Sequence, residues 1–193
     1  MLEISLSDVE RRRDRLLDRF GDAPVRANHV RVPPAEFPEW VEASREGYVG
    51  SAYALVRRPP ERLADLTPSM SVDGEERERV LLLLPRGGNR WGVPGGGQEG
   101  SETFEKTLER ELREEVDIEA EPTGLCYLRH DVATAEGFEE RLHTLRAFFH
   151  AQYTAGAISV QAGEVNGAAW FREPPATDQL LPETKVLLSD WND

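Results

Sequence analysis

The sequence predicts an α/β or α+β protein in which a mixed β-sheet lies between helices. Three observations predict it. Short apolar runs with strand character alternate with segments of helical period. A glycine-dense stretch, 91–97, leads straight into an amphipathic helix. The element order is an extension, strands, glycine loop, helix, strands and a last helix, which suits helices packed on a sheet.

Each element has its own signal. Ser7 and Glu10 have capping-box spacing. Val9, Leu16, Leu17 and Phe20 recur at helical period until Gly21, giving a first helix over 7–20. An extended piece over 25–32 closes at Pro33-Pro34, and a short helix follows over 38–45. Residues 1–45 thus read as an N-terminal helical extension. A strand is expected over 49–57, then an irregular polar surface loop from Pro59 to about Glu76. The leucine-rich run 79–85 reads as a strand buried on both faces. Gly87-Gly88-Asn89 turns the chain into the glycine loop, and a helix follows over 102–116. Strands are expected over 125–129, 142–153 and 168–171, and a terminal helix over 182–191.

With 193 residues, the chain fits one domain with an appendage at roughly 150 residues per domain. Its 23 basic and 36 acidic residues give a formal charge of −13. Polymer nucleic acids and anionic membranes require the opposite balance, so neither is expected as a partner. A small phosphorylated ligand remains compatible, because a metal ion offsets local charge. The longest strongly apolar run, 80–84, is far short of the ~20 residues that span a bilayer. The acidic N-terminus lacks signal-peptide character, and the single Cys126 rules out an intrachain disulfide framework, so a cytoplasmic protein is expected. Lysine occurs only at 106 and 185. Many acids with arginine as almost the sole base read as a halophilic composition, tolerated under strong screening.

The chemistry concentrates between Gly96 and Ile118. Glu111, Glu114 and Glu115 stand at i, i+3 and i+4, on one side of the helix and beside the apolar stripe Phe104, Leu108, Leu112. Such neighbours repel by a few tenths of a kcal/mol, roughly, per pair unless water, Arg110, Arg113 or a cation intervenes. Clustered hard oxygens suit magnesium or manganese rather than zinc. A glutamate-rich helix alone is usually a solvated face. The glycine loop changes that, since its backbone can approach phosphates closely.

These residues resemble the signature of the Nudix hydrolases, G-x5-E-x7-R-E-U-x-E-E-x-G-U, with U a bulky aliphatic residue. Here Gly96 is followed after five residues by Glu102, and after seven more by Arg110-Glu111-Leu112-Arg113-Glu114-Glu115-Val116-Asp117-Ile118. Eight of the nine fixed positions match; Asp117 replaces the glycine, which favours a left-handed turn that aspartate enters at modest cost.

The resemblance implies a Nudix fold, an α/β/α sandwich with a mixed β-sheet, over about 46–193. It also implies metal-dependent pyrophosphohydrolysis of a nucleoside diphosphate linked to another group, with Mg²⁺ or Mn²⁺ as cofactor. Glu111, Glu114, Glu115 and the Gly96 carbonyl are the implied metal ligands, with Arg110 and Glu102 orienting the glutamates. Either Glu111 or Glu164 is the implied base, the latter in a segment, Gly163 to Phe171, that resembles the family's distal loop and strand. Glu139 and Glu140 are weaker options. Gly95, Gly97, Arg86 and Arg90 are candidates for substrate phosphates.

Phe148, Phe149 and Tyr153 read as core, Trp91 as either a base-stacking or a core residue, Cys126 as a small buried residue, and the four histidines show no metal-ligand spacing. The proline marking many ADP-ribose hydrolases, and the tyrosine marking many dinucleoside polyphosphate hydrolases, are missing from 131–135; the coenzyme A motif is missing from 81–94. A nucleoside triphosphate or nucleotide sugar stays open as substrate. The alternative is a Nudix-fold nucleotide-binding module without turnover. An isopentenyl diphosphate isomerase needs a cysteine ahead of the box, whereas Cys126 follows it. A homodimer built through residues 1–45 is suggested by the resemblance alone.

Overall fold

The computed structural model describes residues 2–60, 78–189 and 191. The chain runs β1 (Leu2–Ile4), α1 (Leu6–Phe20), β2 (Val25–Arg31), α2 (Phe37–Arg45), β3 (Gly50–Arg58), β4 (Arg79–Pro85) and β5 (Gly95–Gly97). It continues as α3 (Phe104–Val116), β6 (Ile118–Thr134), β7 (Glu140–Gly156), β8 (Val165–Phe171), a 3₁₀ turn (Thr177–Gln179) and α4 (Pro182–Ser189). The loop expected over 59–76 lies outside the described residues from position 61 onward. Hydrogen bonding orders the sheet β2-β6-β7-β3-β4-β8, with β1 beside β7 and β5 beside β3. β1 and β2 run parallel to their partners, whereas β4 and β5 on β3, and β8 on β4, run antiparallel. A mixed sheet with helices is the expected fold class.

Two compact units make up the chain. The first comprises Met1–Tyr53, Gly95–Leu108 and Thr123–Phe149. The expected extension supplies it with β1, α1, β2 and α2, and Val9, Leu16, Val32, Phe37 and Val41 are all buried. Val32, Phe37 and Val41 pack with Ala133, Ala135 and Leu142. Removing a Phe side chain such as Phe37 from water stabilises by roughly 1.5–3 kcal/mol. The capping box is not formed: α1 begins at Leu6, its N-cap is Ser5 at φ 61°, and Ser7 lies within the first turn. Ser5 directs its hydroxyl to Ser44 instead, at 2.5 Å. Asp131, buried on β6, is neutralised by Arg129 and Arg146 and accepts from Asn28 Nδ2 at 2.7 Å. Glu3, His143 and His130 form a second polar chain, with contacts of 2.6 and 2.8 Å.

The second unit comprises Ala54–Pro94, Glu109–Pro122 and His150–Asp193. Val80 to Leu83 of β4 are buried on both faces, as the leucine run implied. Leu55, Val80, Leu82, Leu180 and Leu188 form its core, and Trp91 packs edge-on to Phe171 at 4.9 Å. Trp91 is partly buried and packs against that core. Arg58 lies over the rings of Tyr153 and Trp170, at 4.4 and 5.4 Å, shielding both with its guanidinium.

Candidate active site

Helix α3 starts where its sequence supplies side-chain acceptors. Thr103 Oγ1 accepts from the Lys106 amide at 3.4 Å, the bond of an N-cap residue. Glu102 turns its carboxylate back over the same first turn, accepting from the Glu99 amide and the Thr107 hydroxyl, each at 3.1 Å. Glu102 thus secures the entry of the helix within the first unit. Phe104, Leu108, Leu112 and Val116 form the buried stripe at i+4 spacing. Asp117 ends the helix at φ 56°, its amide donating to the Arg113 carbonyl at 3.1 Å. The left-handed turn is kept although glycine is absent.

The signature glutamates Glu111, Glu114 and Glu115 belong to the second unit. Arg110 Nη1 lies 3.0 Å from Glu111 Oε1 and 2.9 Å from Glu114 Oε2, joining the two carboxylates through one guanidinium. Glu111 is the more enclosed acid, with 14% of its side chain exposed against 50% for Glu114. Burial pushes the Glu111 carboxyl above the usual range; Arg110 pulls it down, and the charges of Glu114 and Glu164 push it further up. Glu164 and Glu111 therefore sense one another, although 53 positions separate them in sequence.

Backbone hydrogen bonds explain how the loop bearing Glu164 reaches α3. The Gln161 amide donates to the Glu115 carbonyl at 3.1 Å, and the Ser159 amide to the Val116 carbonyl at 3.0 Å. On the other flank the Arg86 amide donates to the Glu164 carbonyl at 2.8 Å, and Arg86 Nη1 to the Gly163 carbonyl at 3.1 Å. Sequence reading missed Ser159 and Gln161. Their contribution comes through main-chain amides, which leave no residue-type signal. Arg90 is exposed. Glu139 and Glu140 lie in the first unit, whereas Glu164 shares the second with Glu111.

The glycines of the loop serve strand pairing. β5 pairs with β3 through Ser51↔Gly97, Ala52↔Gly96 and Tyr53↔Gly95. A Cβ on Gly95 would lie 2.1 Å from the Ala52 carbonyl oxygen, and the residue sits at φ 130°, so only glycine fits. At Gly97 the nearest atom to such a Cβ is Tyr48 Cε2, at 3.3 Å. Cys126 is half-buried rather than fully enclosed.

Among the described residues, no three His, Cys, Asp or Glu side chains are grouped ready to hold a metal ion. In this conformation Arg110 supplies the neutralising charge. The donor chemistry nonetheless fits a hard divalent cation: carboxylate oxygens on one helix face, with burial, and then the charges of Glu114 and Glu164, raising the proton affinity of Glu111 against the pull of Arg110.

A mixed sheet between helices, with an acidic helix entered from a glycine segment, defines the class. A family model described as "NUDIX domain" matches residues 69–187, and the chain belongs to that family. It is 29% identical over 139 residues to the NAD-capped RNA hydrolase NudC of Pectobacterium carotovorum subsp. carotovorum (strain PC1). That match takes in 66% of this chain and 50% of the relative, so the chain spans about half the relative's length. Among solved structures it is similar to the MutT NUDIX hydrolase of Burkholderia pseudomallei, with a TM-score of 0.46 and 20% identity, covering 73% of this chain and 95% of that one. It is also similar to a UDP-X diphosphatase, with a TM-score of 0.47 and 14% identity, covering 96% and 80%. Among the described residues no helix is long and apolar enough to cross a membrane.

Proposed function

We propose that this chain is a metal-dependent pyrophosphohydrolase that cleaves a nucleoside diphosphate linked to another group. The observation that carries the reading is the grouping of Glu111 and Glu114 around Arg110, with the charge of Glu164 acting on Glu111. Glu111, Glu114 and Glu115 would hold Mg²⁺ or Mn²⁺. Such an ion neutralises a diphosphate, polarises the phosphorus under attack and lowers the pKa of water. Glu164 takes the proton of the attacking water as general base. Arg110 keeps the Glu111 and Glu114 carboxylates turned toward one another and moderates their repulsion. With arginine N-terminal to glutamate at i, i+4, this pair is the weaker orientation for helix stability, which favours a role in the site.

The test is product release across nucleoside triphosphates, nucleotide sugars, ADP-ribose, dinucleoside polyphosphates and NADH, with Mg²⁺ or Mn²⁺ in molar KCl. NADH joins the panel because the NudC relative is named for an NAD-capped substrate. Turnover that falls by about 10²-fold or more in both Glu111→Gln and Glu115→Gln supports the reading. A second reading is a nucleotide-binding module without turnover, in which Arg110 stays paired with Glu111 and Glu114. Silence over the panel in a folded, metal-binding protein selects that one.

A further inference from the structure

We propose that Arg86 is a positioning residue for Glu164, clamping the loop that carries it rather than gripping substrate phosphate. The proposal rests on the assignment of Glu164 as base. Its geometry lies within the second unit. Arg86 follows the last residue of β4 at the point where the β4–β8 register shifts, between Leu84 and Pro85. From there it makes two bonds to successive carbonyls: its amide to Glu164 at 2.8 Å and its Nη1 to Gly163 at 3.1 Å. Gly163 sits at φ 113°, a backbone state that side chains rarely adopt, and Arg86 Nη1 lies 3.4 Å from where its Cβ would be. The backbone thus takes a glycine-only conformation one residue before Glu164, with the guanidinium bonded to that residue's carbonyl. The Gln161 amide fixes the same loop to the Glu115 carbonyl. Glu164 itself is exposed and its loop is short of buried apolar anchors, since only Val165 beside it is buried. Hydrogen bonds at both flanks therefore hold the backbone that carries it.

Hydrogen exchange of the full chain, read by mass spectrometry, tests the clamp without any ligand. Arg86→Ala should speed exchange across 159–165 by about tenfold, the effect of one charge-assisted hydrogen bond of ordinary strength. Arg86→Lys, which still offers a donor, should restore most of the protection. Unchanged exchange in Arg86→Ala overturns the clamp, whether or not the chain proves to be a hydrolase. The kinetic arm uses NADH, ADP-ribose and UDP-glucose with Mn²⁺. Arg86→Ala should lower kcat about tenfold with KM within twofold, and should cost nothing further in a Glu164→Gln background. A raised KM with kcat retained would make Arg86 a substrate ligand and sink the proposal. If none of the three compounds turns over, the hydrolase reading loses support, while the exchange result still decides the clamp.

Discussion

Replacing Gly95 by alanine should damage the protein far more than the same change at Gly97, two residues away. At Gly95 the new methyl would stand 2.1 Å from the Ala52 carbonyl oxygen and 2.7 Å from Tyr53 Cα, so β5 and β3 must part by more than an ångström to reach ordinary contact. Losing two ladder hydrogen bonds costs about 1–3 kcal/mol. Holding a non-glycine residue at φ 130° adds about 1–3 kcal/mol. The total is roughly 2–6 kcal/mol, which for a chain of this size lowers Tm by about 4–24 °C. At Gly97 the neighbour is the edge of the Tyr48 ring, at 3.3 Å, and a few tenths of an ångström of ring movement relieves it. That change should cost under about 1 kcal/mol. Thermal unfolding followed by tryptophan fluorescence measures both. Equal losses in the two variants, or a Gly95→Ala Tm within about 2 °C of the parent, would refute the argument that backbone approach fixes this glycine.

Three other outcomes follow from the same structure. Asp117→Gly removes left-handed strain at φ 56° and should stabilise by about 0.5–1 kcal/mol after the extra freedom of glycine in the unfolded chain, read as a higher urea midpoint. Burial pushes the Glu105 carboxyl up, but its bonds to Arg15 and the charges of Arg15 and Arg19 prevail and hold it below the usual range. A depressed folded pKa gives stability that is complete above the unfolded value and is lost as pH falls through the folded one. Glu105→Gln should therefore cost about 1–2 kcal/mol at neutral pH, allowing for the partial exposure of Arg15, and the gap from the parent should close below about pH 4 in denaturant titrations. At a formal charge of −13, Tm should climb as KCl rises from about 0.1 to 1 M and the screening length shortens from ~10 to ~3 Å; a flat or falling curve speaks against salt adaptation.

Most element positions were legible because single strands and helices carry their own patterns. Run 79–85 is strand β4, and the stripe through Phe104, Leu108 and Leu112 is the buried side of α3. The misreadings have physical causes. β6 and β7 are 17-residue strands, longer than the segments expected at 125–129 and 142–153. Asp131 and His130 interrupt the apolar alternation of β6, and their burial or partial burial becomes tolerable only through Arg129, Arg146 and His143, residues that sequence proximity only partly connects. The capping box failed because the helix begins at Leu6, which puts Ser7 inside its first turn rather than at the cap. Around the site, the spacing of Glu111, Glu114 and Glu115 was readable from helical period. The anchoring of Glu164 was not, since it runs through the carbonyls of Glu115 and Val116 and the amides of Gln161, Ser159 and Arg86.

The guanidinium of Arg110 between Glu111 and Glu114 amounts to an internal counter-ion. The acidic helix thus carries its own neutralising charge, and stripping divalent ions with a chelator should leave its folding intact. On the proposed function, uptake of a divalent cation on this face would be an exchange in which one positive charge makes way for another. The apparent affinity would be set by the difference between two attractions, and the displaced arginine would be left charged and able to meet an anion.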